Sequence, residues 1–350
     1  MSTNMRRHQK NRQWKVLCFC VSAFFILSQA HGQGKDTADF RVMSYNVENL
    51  FDCRHDSLKD DYEFLPDAIR RWNYYKYRKK LDDVARVIVA VGEWNPPALV
   101  ALCEVENDSV LRDLTRYSAL REVGYRYVMT SSPDERGIDV ALLYRRHLFK
   151  LLSCHSLEVP RTDKQNRPTR DILHVCGQLL NQDTLDVFVC HFPSRSGGAK
   201  ETEAHRLLAA RRVREAIDSI YARRRRPQIL MMGDLNDYPH NRSVRLLLDG
   251  DKPVLKHLLD GKPGMKPAGS YKYQGEWGLL DHIMVSEEMT RPDAPFHTAE
   301  GRAGIFAPPF LLAPDKKYGG LQPFRTYYGM KYQEGYSDHL PVWADFRVLY

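Results

Sequence analysis

Short apolar runs recur along the chain, rich in β-branched residues and bounded by polar ones: 40–46, 98–104, 138–145, 185–191, 228–234, 280–286 and 342–348. Runs of this length, apolar at consecutive positions and ending in turn residues, predict buried strands. Helical patterns fall between them. Residues 71–91 place Leu81, Val84, Ile88 and Val91 on one stripe, with Lys79, Lys80, Asp82 and Asp83 facing away. Residues 200–221 do the same with Leu207, Ala210, Val213, Ile217 and Ile220. Arg223 to Arg226 follow this helix as a solvated terminus, where cations suit the dipole, rather than as a phosphate-binding patch. Strands mixed with helices predict sheets covered by helices on their outer faces. Residues 291–335 stand apart, with many Pro, Gly and aromatic residues and little periodicity. They are expected to form functional loops beside an active site.

The N-terminus changes both the domain boundaries and the charge. Residues 1–15 carry Arg6, Arg7, Lys10, Arg12 and Lys15 and no acid; an apolar run to Leu27 follows, then Ser28-Gln29-Ala30. The order basic, apolar, small predicts a secretory signal over residues 1–32, cleaved near Ala30 or Gly32. The apolar run is shorter than the roughly 20 residues a spanning helix needs, so no transmembrane span is expected after cleavage. The product would be exported, to the periplasm or the extracellular space. The full chain has 52 basic and 44 acidic side chains, a net +8. Five of those bases and no acid lie in residues 1–32, which leaves 47 against 44, or +3. The basic character is thus largely the signal's and says little about a polyanionic partner. Residues 38–350 then read as one domain, with no internal repeat or low-complexity linker. Five cysteines remain there (Cys53, Cys103, Cys154, Cys176 and Cys190), without CxxC spacing. Cys103 and Cys190 fall inside apolar runs and read as buried thiols, while an oxidising compartment leaves a disulfide open.

The chemistry shows in how the runs end. They stop at Asn46, Glu104, His191 and Asp234, with Asn236 two residues beyond the last; Asp281-His282 and Asp338-His339 follow Leu280 and Ser337. Singly, each is a turn former, a cap or a hydrogen-bonded strand end. Six such ends in one chain, all Asn, Asp, Glu or His, are hard to obtain from turn chemistry, and strand ends converge on a common pocket. Oxygen donors without Cys pairs or an HExxH helix point to Mg²⁺, with Mn²⁺ as the alternative, rather than Zn²⁺. Two histidines beside carboxylates supply a base for water and a donor to a phosphoryl oxygen. The set suits hydrolysis of a phosphate ester.

These residues resemble the endonuclease/exonuclease/phosphatase superfamily. The similarity rests on Ser44-Tyr-Asn-Val-Glu-Asn-Leu-Phe51, Leu102-Cys-Glu-Val-Glu106, Gly137-Ile-Asp-Val-Ala-Leu-Leu-Tyr144, Cys190-His-Phe-Pro-Ser-Arg195, Gly233-Asp-Leu-Asn-Asp237, Leu280-Asp-His-Ile283 and Ser337-Asp-His-Leu-Pro341, in the family's order over residues 40–346. The resemblance implies a four-layer α/β sandwich, two facing mixed sheets flanked by helices. It implies Glu104, Asp338 and Asn46 as metal-site residues, Asn46 also contacting phosphate. His339 would act with Asp281 as its carboxylate partner. Asp234 and Asn236 would position the nucleophile and transition state, and His191 stands where deoxyribonucleases and sphingomyelinases have a second histidine. AP endonucleases carry Asp where this chain has Glu48, a departure that leaves a metal role for Glu48 open. His282 is expected to be strand structure, and Asp139 and Arg170 to support the pocket from behind.

The stretch from His191 to Gly198, the helix with Arg206 and Arg211, and Pro323-Phe-Arg-Thr-Tyr-Tyr328 resemble secreted bacterial proteins described as extracellular endonucleases. Arg195, on a Ser/Gly loop, and Arg325, between aromatics, are expected to bind substrate. The first expectation is therefore a secreted nuclease acting on DNA or RNA, with no stable protein partner. The alternative is a phosphodiesterase or phosphatase for a phospholipid head group, inositol phosphate or similar small ester, since one scaffold hosts both. A membrane-facing loop at 306–312 would favour a lipid, though buried packing explains those residues as well. A non-catalytic binding protein is disfavoured, because every catalytic residue type is present.

Overall fold

Each predicted apolar run is a strand, and alternation along it sends its two faces to different cores. The computed structural model describes residues 36–160, 168–249, 255–262 and 265–350; the signal expected at residues 1–32 lies outside them. Residues 38–349 form one unit. Its strands are β1 Thr37–Leu50, β2 Leu99–Val105, β3 Arg126–Met129, β4 Asp139–Tyr144, β5 Lys150–Leu157, β6 Ile172–Gln178, β7 Thr184–His191, β8 Gln228–Asp234 and β9 Leu255–His257. After a hairpin of β10 Tyr271–Tyr273 and β11 Glu276–Gly278 come β12 Asp281–Ser286 and β13 Phe296–Ile305. Two ribbons, β14 Leu312–Pro314 with β15 Leu321–Pro323 and β16 Tyr327–Tyr328 with β17 Lys331–Tyr332, precede β18 Val342–Leu349. The helices are α1 Tyr74–Gly92, α2 Asp108–Arg116, α3 Glu203–Arg223 and α4 Arg242–Leu248.

Two six-stranded mixed sheets result, in the orders β13-β18-β1-β2-β4-β3 and β5-β6-β7-β8-β12-β9. Phe40 and Val42 of β1, Leu99, Ala101 and Cys103 of β2, Leu185, Val187 and Val189 of β7, and Leu230 and Met232 of β8 share a core between the sheets. Met43, Tyr45, Val100 and Leu102 point the other way, onto Leu81, Val84, Ile88 and Val91 of α1. Phe188, Cys190, Ile229 and Met231 do the same against Ala210, Val213 and Ile217 of α3. Strands buried on both faces explain the unbroken apolar runs. Each fully buried Val or Leu contributes about 1.5–3 kcal/mol, and a one-residue slip would exchange the two faces of a strand, so register is strongly set. The four-layer sandwich expected from the motifs is the fold observed.

Strand direction brings the polar ends together. β1 runs parallel to β2 and β7 parallel to β8, so these four strands finish at the same edge. β12 is antiparallel to β8, which pairs Asp281, its first residue, with Asp234, the last of β8. His191 is likewise in register with Asp234. Gly233 permits this close approach: an added Cβ there would lie 1.8 Å from Cys190 O.

Several expectations require correction. Residues 291–335 are not wholly irregular, since β13 is a ten-residue strand on β18; its exposed edge position thins out the apolar pattern. Lys80, placed on the outer face of α1, is buried instead, its Nζ bonded to Thr326 Oγ1 at 2.5 Å and to Tyr336 O. The weakly apolar β3, β5 and β6 and the short α2 and α4 were not anticipated. The 306–312 segment packs into the α1-side core through Phe306, Phe310 and Leu311. All five described cysteines are free thiols.

Candidate functional site

The polar strand ends open into a cleft of about 1170 Å³, lined by Asn46, Glu104, His191, Asp234, Asn236, Asp338 and His339 among others. Its centre is one carboxylate oxygen. Asp234 Oδ2 accepts from Asn46 Nδ2 at 3.0 Å and lies 3.5 Å from Asn236 Nδ2. His191 Nε2 and His339 Nε2 each stand 3.7 Å away. Asp234 Oδ1 accepts from the Asn236 backbone at 2.8 Å, and Asn236 Nδ2 donates to Phe192 O at 3.1 Å. Asn46 is fixed from its other side by the Glu48 backbone N–H, which donates to Oδ1 at 3.0 Å.

Unusual backbone aims two of these groups. Glu104 has φ 67° and Asn236 φ 50°, conformations that persist only where surrounding structure fixes them. Glu104 sits where the β2–β4 register shifts, between Cys103 and Val105. This one-residue bulge turns its carboxylate toward the cleft. Glu104 Oε2 accepts from Asn49 N at 2.9 Å, and Oε1 lies 3.8 Å from His191 Nε2.

The two histidines are in opposite electrostatic states. Burial alone would depress His339, but Asp281 and Asp234 outweigh it and hold the imidazole well above its ordinary value of 6.5. Asp281 Oδ2 takes the His339 Nδ1 bond at 2.7 Å and that of Ser270 Oγ at 2.6 Å. His191 is pushed well below 6.5 by burial, with Arg170, Arg136 and His339 adding to the effect. It is therefore neutral where His339 is a cation. Burial also raises the Asp234 carboxyl to about 7, with His339 opposing the rise. Environments that drive neighbouring groups apart mark acid and base partners.

Beside this cluster a second network holds Asp338. Arg325 Nη2 donates to Asp338 Oδ2 at 2.8 Å, and its Nε lies 3.5 Å from Glu48 Oε1. Glu48 is buried and accepts from the backbone of Thr326 at 2.7 Å and Tyr327 at 3.4 Å. It therefore holds the Arg325 loop and does not face the cleft centre. Arg325 is paired with acids rather than free for substrate. Arg195 lines the cleft, its guanidinium 4.5 Å over the Tyr238 ring. His282 is structural as expected: Nε2 contacts Asp237 O at 2.9 Å and Nδ1 contacts His257 Nε2 at 2.7 Å. Asp139 lies behind the cleft, whereas Arg170, expected there too, is buried in its wall. Asp139 Oδ1 receives Thr130 Oγ1 and Ser132 N, while Arg170 joins Asp134 Oδ2 to Phe192 O. Arg206 is buried, its Nε 2.8 Å from Asp237 Oδ2, and ties α3 to the Asp234–Asp237 turn. The sequence pattern singled out neither the Glu48 loop contact nor Lys80 beneath it, because neither interrupts an apolar run.

Asp234, Asp281 and His339 bring potential metal-ligand atoms within 4.8 Å of one another. Their atoms already serve each other, however, as a His–Asp pair facing a carboxylate. Glu104 and Asp338 also line the cleft and keep 15% and 20% side-chain exposure, with one oxygen of each already accepting a bond, from Asn49 N and Arg325 Nη2. Cys103, the nearest thiol in sequence, turns its Sγ to Cys190 O in the core. An all-oxygen set of this kind fits a hard divalent cation.

The match to known proteins follows this geometry. The model of the Endonuclease/Exonuclease/phosphatase family covers residues 41–347. No curated protein matches the chain by sequence. Solved structures similar in fold include the Bacteroides thetaiotaomicron mannosyl-6-phosphatase (17% identity, 88% of this chain and 99% of that one, TM-score 0.56). The human Nocturnin catalytic domain with bound sulfate is another (16% identity, 89% and 97%, TM-score 0.54). So is D. rerio TDP2 complexed with a single-strand DNA product (15% identity, 88% and 99%, TM-score 0.54). With two facing sheets, the ordered motifs and a family match across nearly the whole described unit, this chain belongs to the endonuclease/exonuclease/phosphatase family, whose members hydrolyse phosphoric esters.

Proposed function

We propose that the chain is an exported, Mg²⁺-dependent phosphodiesterase that cleaves DNA or RNA by attack of water on phosphorus. The observation that carries this reading is the convergence of Asn46, Asn236, His191 and His339 nitrogens on Asp234 Oδ2. A water seated beside Asp234 gives up its proton to that carboxylate, whose pKa of about 7 suits a base near neutrality. The His339 imidazolium, held by Asp281, presents Nε2–H to a phosphoryl or leaving oxygen. Asn46, Asn236 and neutral His191 orient the phosphate without altering the charge. Glu104 and Asp338 would hold the cation, which withdraws charge from the phosphoryl oxygens when bound.

A small phosphate ester is the second reading, favoured by the net +3 left outside residues 1–32 and by the mannosyl-6-phosphatase among the similar folds. Among the described residues no helix is long and apolar enough to cross a membrane. The deciding experiment is Mg²⁺-dependent turnover on supercoiled plasmid, sphingomyelin and inositol phosphates, with EDTA and His339→Ala controls. Nicking abolished by both controls supports the nuclease. An intact plasmid beside ester hydrolysis replaces the substrate, and no hydrolysis of any of them overturns the reading.

A further inference from the structure

We propose that Arg136 and Arg195 form a second phosphate subsite on the His191 side of the cleft, so that preferred substrates carry a phosphate besides the one cleaved. This rests on the phosphate-hydrolase reading and narrows its substrate class.

Arg136 lies on the β3–β4 loop, exposed and lining the cleft, and its side chain has no hydrogen-bonding or ionic partner among the described residues. Its charge reaches His191, which it helps to keep neutral. Arg195 lines the same cleft from the loop after β7. Its guanidinium is braced on Tyr238, yet Nη1 is buried without a hydrogen-bond partner. A buried guanidinium N–H left unpaired is costly unless a ligand completes it.

A lone surface arginine is ordinarily just solvated, and needs no scaffold. The Arg136 loop has one. Arg170, itself buried, bridges Asp134 Oδ2 at 3.2 Å and Phe192 O at 2.8 Å. Lys59 Nζ donates to Ser132 O at 2.8 Å and to Asp134 O at 2.9 Å. The loop is thus pinned at Ser132 and Asp134, just before Arg136, which lines the cleft. Charge distribution points the same way. Asp134 is neutralised by Arg170, and on the far side Arg325 is neutralised by Asp338 and Glu48. Unspent positive charge remains beside His191, where a further anion gains most.

The second phosphate has two sources, a neighbouring phosphate of a polynucleotide or the other phosphate of a small bisphosphate. The test compares kcat/KM within two pairs: dTpdT against pdTpdT, and fructose 1-phosphate against fructose 1,6-bisphosphate. The wild-type chain should prefer the doubly phosphorylated member of one pair at least tenfold, and that pair identifies the source. In the Arg136→Gln/Arg195→Gln double variant this preference should fall at least tenfold, while Arg136→Lys retains part of it. A preference changed less than twofold overturns the subsite. If the wild type hydrolyses neither pair, the hydrolase reading fails instead. Calorimetry of pdTpdT and fructose 1,6-bisphosphate in EDTA then decides the subsite alone, and equal affinities for wild type and double variant overturn it.

Discussion

Replacing Asp281 by asparagine tests the assignment of roles at its most exposed point. The Asp281 side chain is fully buried; Oδ2 bonds His339 Nδ1 and Ser270 Oγ, and Oδ1 has no partner. An Asn fits the same space and its oxygen can replace Oδ2. Its NH₂ then sits where Oδ1 was unpartnered, an unmet donor that costs about 1–3 kcal/mol of stability. What disappears is the charge. A hydrogen bond to a charged group contributes about 1.5–3 kcal/mol, and about 1.4 kcal/mol corresponds to one pKa unit. The His339 pKa should therefore drop by about 1–2 units, and kcat by about 10²–10⁴, the range of a single acid–base contribution. Activity that needs the His339 cation is lost as pH rises through its pKa, so the alkaline limb of the profile should move down by the same 1–2 units. Plasmid nicking from pH 5 to 9, an NMR titration of the histidine ring protons and a urea unfolding curve separate chemistry from stability. A variant with kcat within threefold of wild type and an unmoved His339 titration would refute the pairing.

Two further substitutions probe what surrounds the site. Lys80 is buried, its ordinary pKa lowered by burial with Glu48 opposing, so Lys80→Met leaves the Glu48 carboxylate without that counter-charge. Losing the Lys80 Nζ bonds to Thr326 Oγ1 and Tyr336 O should cost about 1–3 kcal/mol in urea unfolding, with Lys80→Met/Glu48→Gln recovering part of it; additive losses in the double variant would count against the coupling. His257 and His282 are held neutral by burial, at about 4 and about 3. The unfolded chain takes up protons below about pH 6.5 that the folded chain refuses, so stability present above 6.5 is lost as pH falls toward 4. For His257 alone this is up to about 3 kcal/mol. His257→Gln should flatten unfolding free energy between pH 6.5 and 4.5, and parallel wild-type and variant curves would dismiss the effect.

The sequence by itself determined the layers and the chemical inventory. Unbroken apolar runs such as 98–104 and 228–234, short and bounded by turn residues, point to strands buried on both faces, and the polar ends of these and of 40–46 and 185–191 name Glu104, Asp234, Asn46 and His191. Where polarity did not interrupt a run, the pattern was silent. β5 alternates half-exposed positions, and Lys80 lies within a stretch of charged residues that reads as solvated. Arg136 likewise looks like any loop arginine until the pinned loop and its position on the cleft are seen.

Tertiary structure alone decided which groups face one another. Parallel β1/β2 and β7/β8 gather their ends at one edge, and antiparallel β12 delivers Asp281 there from its beginning rather than its end. The bulge at Glu104 turns a strand residue into the cleft, while Glu48 turns away to hold Arg325's loop. The protonation contrast between His191 and His339 arises the same way. Both are buried histidines, one after Cys190 and one after Asp338, and the carboxylates around His339, Asp281 foremost, and the Arg170 and Arg136 charges near His191 set them apart. Composition and periodicity record what a residue is and whether it is buried. Charge interactions fall off over a few ångströms, so their outcome waits on the fold.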